Sequence, residues 1–63
     1  MYYTLETKSG YPVNILWGSG GPHIQVLKRC YNFFQTKEEA TKYLEMLRAE
    51  HNVGRNLSIV AHS

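Results

Sequence analysis

One segment constrains the rest of this chain. "TKEEATKYLEMLRAEHNVG" (Thr36–Gly54) spells a helix with its own start and stop, and it is the single helix the sequence offers. Thr36 stands as N-cap with Glu39 three residues on, the spacing of a capping box. Glu38 and Glu39 put negative charge where the helix dipole favours it, and Glu38 with Lys42 forms an i,i+4 pair. Ala40, Tyr43, Leu44 and Leu47 recur at helical spacing as one apolar stripe. Gly54 supplies the stop, with Asn52 a second candidate for the left-handed cap. The spacing predicts a helix from Lys37 to His51.

A single helix can cover one face of one small sheet, and the remaining runs read as strands. "YYTLET" (Tyr2–Thr7) is aromatic and β-branched and ends at the turn signal "KSGYP". "PVNILW" (Pro12–Trp17) alternates, and "HIQVLKRCYNFF" (His23–Phe34) carries β-formers throughout. "LSIVAH" (Leu57–His62) follows the helix. The order is β-β-β-α-β, an α+β class, with residues 1–63 as one small domain and no repeat or linker. The link "QT" is tight, so the helix reverses the third strand. The fourth strand is then expected parallel to the third and to the first. A right-handed crossover places it in the same sheet. The expectation is a four-stranded mixed sheet with the helix on one face.

Size bounds what such a domain can carry. A chain of 63 residues buries only about 60% of the surface its unfolded form exposes, so stability is marginal. Domains this small often add disulfides, a metal or a partner subunit. Cys30 is the only cysteine, which excludes an internal disulfide. "MYYTLETKSG" lacks a basic n-region followed by an apolar h-region, and no apolar run approaches the ~20 residues of a membrane span. A cytoplasmic protein is expected. Net charge is +2, with the helix segment at −1 and Lys8, Lys28, Arg29 and Arg55 outside it. That excess is too small to establish a nucleic-acid partner, since each phosphate contact needs its own cation.

The residue types capable of chemistry are better explained by structure. "ILWGSGGPHIQ" (Ile15–Gln25) begins like a dinucleotide fingerprint at Gly18, Ser19, Gly20 and Gly21. His23 stands where the third glycine belongs, and a strand follows rather than a helix. A hairpin loop is expected, with glycine supplying positive φ. His23, His51, His62 and Cys30 lack the short spacings that preset a metal site. Ser58 with His62 or His51 has no elbow or evident oxyanion hole. Glu38 and Glu39 serve the helix start and diverge around it. No enzyme, metal or cofactor is expected.

Strand parity instead singles out a surface. One face gathers Tyr3, Leu5, Val13, Ile15, Trp17, Ile24, Val26, Cys30, Leu57, Ile59 and Ala61 as a core under the helix. The opposite face holds Tyr2, Leu16, Leu27, Arg29, Tyr31, Phe33, Val60 and His62, and no second helix covers it. A water-facing sheet surface should alternate toward polar residues. An apolar, aromatic one marks an interaction site. Tyr2, Leu16, Leu27, Arg29, Tyr31 and Phe33 are the candidate binding residues. "VLKRC" breaks the alternation, however, and a bulge there would send Tyr31 and Phe33 inward.

Two functions fit that surface. The first is a protein-interaction module using the open sheet face or a sheet edge to bind a partner protein or a second copy of itself as a homodimer. In size and organisation the chain resembles small accessory proteins of bacteria and bacteriophages, which implies modulation of a host protein. The second is single-stranded RNA or DNA binding. "RCYNFFQT" (Arg29–Thr36) resembles the aromatic strand motif of RNA-recognition domains, with Arg29, Tyr31 and Phe33 at matching positions. Cys30 and Asn32 stand in place of that motif's small residues, Thr36 replaces its last aromatic, and the family's first helix is missing.

Overall fold

The structure is a computed structural model and describes residues 1–26 and 33–63. Its elements are β1 (Tyr2–Glu6), β2 (Val13–Gly18), β3 (Gly21–Val26), α1 (Lys37–His51) and β4 (Ser58–His62). The α+β class and the order β-β-β-α-β are those the sequence predicts.

The bounds of α1 follow from its caps. Thr36 is extended at φ −130° and ψ 154°, and its Oγ1 accepts the Glu39 N–H at 3.1 Å. Thr36→Ala is expected to cost about 1 kcal/mol, read as a lower urea midpoint at unchanged slope. At the other end Asn52 takes the left-handed cap at φ 56°, and its N–H reaches back to the Leu47 carbonyl. Gly54, at φ 86°, serves the next turn instead. Arg48 then pins the connection to β4. Its Nε donates to the Gly54 carbonyl at 3.1 Å and its Nη2 to the Leu57 carbonyl at 3.0 Å.

The sheet differs from expectation. β1 and β4 pair antiparallel from Tyr2↔His62 to Glu6↔Ser58, and β2 and β3 pair antiparallel from Val13↔Val26 to Gly18↔Gly21. Among the described residues these are two separate two-stranded sheets rather than one four-stranded mixed sheet. Single bridges, Glu6↔Pro12 and Tyr3↔Phe34, attach the free edge of β1 to its neighbours. The expected third strand is described as far as Val26, and its stretch from 27 to 32 lies outside the described residues. Phe34 itself lies antiparallel to β1, exchanging hydrogen bonds of 2.8 and 2.9 Å with Tyr3. The chain enters the helix from that antiparallel segment. Its return therefore delivers β4 antiparallel to β1, not parallel to it.

The tight turn of the glycine run is the expected hairpin. Gly18↔Gly21 closes it over Ser19 and Gly20, and the positive φ, 101°, lies at Gly21. The β1–β2 connection turns at Gly10, φ 88°, where the Gly10 N–H donates to the Thr7 carbonyl at 3.0 Å.

Leu5, Val13, Ile15, Leu44, Leu47 and Leu57 form the core, with Ala40 also buried and Phe34, Tyr43, Met46, Val53 and Ile59 packed around it. Three residues expected inside are exposed: Trp17 at 53%, Ile24 at 40% and Val26 at 52%. Ala61 is exposed as well, and Cys30 lies outside the described residues. The cause is the split sheet. With β3 on the outside of its own hairpin, Val13 and Ile15 meet the core while their cross-strand partners Val26 and Ile24 extend past it. Trp17 is held at the margin, its Nε1 donating to Tyr43 Oη at 2.9 Å and its ring edge-on to His51 at 5.3 Å.

Candidate functional site

Alternation along β1 sends Leu5 into the core and leaves Tyr2, Thr4 and Glu6 on the face turned away from it. The register of β4 sets His62 beside Tyr2, Val60 beside Thr4 and Ser58 beside Glu6. Two side-chain groups organise this face, one polar and one aromatic.

The polar group is a closed ring of contacts. Thr4 is buried, at 2% exposure. Its hydroxyl donates to Glu6 Oε2 at 3.2 Å and lies 2.8 Å from His62 Nε2, which is itself 3.2 Å from the same carboxylate oxygen. With its proton given to Glu6, the Thr4 oxygen accepts, so this network assigns the hydrogen to His62 Nε2. A nucleophilic triad requires the hydroxyl on one ring nitrogen and the carboxylate on the other. Here one nitrogen faces both, so the arrangement orients the imidazole and does not activate the hydroxyl.

The aromatic group is built on that oriented ring. His62 stacks on Tyr2 with centroids 4.9 Å apart and planes 14° apart. Phe33 meets Tyr2 edge-on, with centroids 5.3 Å apart and planes at 83°. Aromatic pairs prefer these offset-stacked and edge-to-face arrangements. Tyr2 remains 39% exposed and Phe33 58%. The result is a contiguous patch of three rings, with a part-buried polar clasp at one end.

Of the candidate binding residues, the structure brings Tyr2 and Phe33 together. Leu16 is 48% exposed, but it sits on β2 opposite His23, in the other two-stranded sheet. Among the described residues, Leu16 and Tyr2 therefore stand on different sheets. Leu27, Arg29 and Tyr31 lie outside the described residues, as does the Lys28–Arg29 bulge. Sequence reasoning missed Thr4 and Glu6. Their parity with Tyr2 placed them on this face, yet only burial and distance show that they hold His62.

Among the described residues no group of three His, Cys, Asp or Glu side chains could hold a metal ion. None of the helices among them is long and apolar enough to cross a membrane. No protein-family model, curated protein or solved structure matches this chain.

Proposed function

We propose that this chain is a small non-catalytic protein-interaction module that engages its partner through the patch of Tyr2, Phe33 and His62. The observation that carries the reading is Phe33, more than half exposed while held edge-on against Tyr2. Leaving an aromatic ring in water forgoes its burial energy, and Tyr and Phe are enriched where interfaces close. The patch is also pre-ordered by stacking and by the Thr4–Glu6–His62 clasp, which lowers the ordering cost of binding. A cytoplasmic modulator of a host protein, of bacterial or bacteriophage type, is the biological setting this reading favours.

The single-stranded nucleic-acid reading has less support. It rests on Arg29 and Tyr31, which lie outside the described residues. Among the described residues Glu6 lies beside His62 at the patch, and a carboxylate there repels phosphate.

Affinity capture with the immobilised protein separates the two. A protein partner retained at moderate salt is expected to be lost with Phe33→Ala, while the far-UV spectrum and melting temperature hold. Retention unchanged in that variant overturns the reading. So does recovery of oligonucleotide alone, with affinity falling linearly in log–log plots against salt.

A further inference from the structure

The exposed side chains of β3 lie on a second surface, away from the aromatic patch. β3 pairs with β2 on one edge, and among the described residues its other edge meets no strand. Pro22 shows which groups that edge presents. Proline has no N–H, so Trp17↔Pro22 is a non-hydrogen-bonded pair, and alternation assigns the same state to Ile24 and Val26. Their N–H and C=O groups therefore point outward. An unpaired edge of this kind is a template for another strand.

Proteins usually blunt such edges with charge, and β3 carries none. Its sequence is GPHIQV, without Lys, Arg, Asp or Glu. The side chains beside the edge are Ile24 and Val26, both on the core face of the hairpin and both substantially exposed. We propose that β3 pairs antiparallel with β3 of a second copy about a two-fold axis at Ile24, making a dimer with a continuous β2-β3-β3-β2 sheet.

This occupant fits the edge the strand presents, leaving only the Val26 carbonyl, opposite a proline with no N–H, to water. Ile24 faces the partner's Ile24 and exchanges both hydrogen bonds with it. Val26 then faces the partner's Pro22, donating its N–H to the one group that proline offers, a carbonyl. His23 faces the partner's Gln25 on the polar side. A two-fold perpendicular to the sheet keeps both copies of Ile24, Val26 and Trp17 on one face, where they cover each other. No like charges meet along the described strand. The interface is isologous and closed, so it stops at two.

Sedimentation equilibrium on the full chain tests the assembly. The expected result is a reversible dimer, with Ile24→Lys weakening its dissociation constant at least about tenfold because like charges then stand directly opposite. Its circular dichroism should stay folded, since Ile24 is already in part exposed. A second measurement keeps the test independent of that variant's folding. In a Cys30→Ser background, Ile24→Cys should oxidise to an intermolecular disulfide. Hydrogen-bonded antiparallel pairs hold their Cα atoms about 5.5 Å apart, inside the ~4.4–6.8 Å range that disulfides span. Leu16→Cys, on the inner strand, should not. Monomer mass at every concentration overturns the proposal. So does a dimer that fails to cross-link at position 24, or one that survives Ile24→Lys but dissolves with Phe33→Ala. None of these outcomes bears on capture of a different protein by the aromatic patch.

Discussion

Leu47→Ala is expected to lower the melting temperature by roughly 10–30 °C, and to leave the chain partly unfolded at physiological temperature. Leu47 is fully buried at 0% exposure, the inner residue of the α1 stripe among Leu5, Val13, Ile15, Leu44 and Leu57. Truncating a buried leucine costs about 2–5 kcal/mol from lost transfer energy and the cavity left behind. Total stability at about 0.05–0.15 kcal/mol per residue comes to roughly 3–9 kcal/mol for this chain. The single substitution therefore removes a large share of the whole, and in a domain this small 1 kcal/mol moves the midpoint by about 4–8 °C. Scanning calorimetry or thermal circular dichroism reads the result. A midpoint within a few degrees of wild type would show that α1 does not close the core. The same truncation at Leu16, half exposed on β2, should change little.

That contrast follows the line between what the sequence made legible and what it did not. The helix could be read to the residue because its signals are local: Thr36 caps the next turn, and the apolar stripe repeats within fifteen residues. The hairpin of β2 and β3 was legible for the same reason, since Gly18–Gly21 specifies its own closure. The sheet was not. Whether β4 lies parallel or antiparallel to β1 depends on the direction in which Phe34 enters the helix, and that is set by its bridge to Tyr3, thirty-one residues away. Alternation gives each strand two faces, but it does not say which strands share a sheet. The parity of Trp17, Ile24 and Val26 matched that of Val13 and Ile15, yet the core ends between them.

The site shows the same division. Tyr2 could be placed on the face away from the helix by alternation alone, and Phe33 was named beside it from the third apolar run. Their meeting is fixed by the Phe34 bridge to Tyr3, which sets Phe33 against Tyr2. The Thr4–Glu6–His62 clasp was hidden because each member is an ordinary surface residue type. Only the Tyr2↔His62 register, across sixty positions of chain, makes them neighbours. Long-range register is a tertiary property, and a one-residue slip would have faced His62 the other way.

Gly54→Ala is the second substitution expected to be severe, and its cause is separable into two parts. Gly54 sits at φ 86°, where an L-residue costs about 1–2 kcal/mol. A Cβ there would also lie 3.0 Å from Leu44 Cδ1 and 3.5 Å from Leu57 Cδ1. Leu44 is itself 4% exposed, so its methyl has little room to yield, and overpacking of this kind costs about a further 1–3 kcal/mol. Shifting the backbone instead would disturb the Gly54 carbonyl, which accepts from both Arg48 Nε and the Leu57 N–H. Gly54→Asn distinguishes the two parts, because asparagine tolerates the left-handed region, as Asn52 does at φ 56° two residues earlier, while keeping the Cβ. Urea unfolding should show Gly54→Ala losing the sum and Gly54→Asn recovering only the backbone share. Equal losses would assign the whole effect to contact with Leu44, and a wild-type midpoint for Gly54→Ala would mean that this turn is not held as the Arg48 clamp requires.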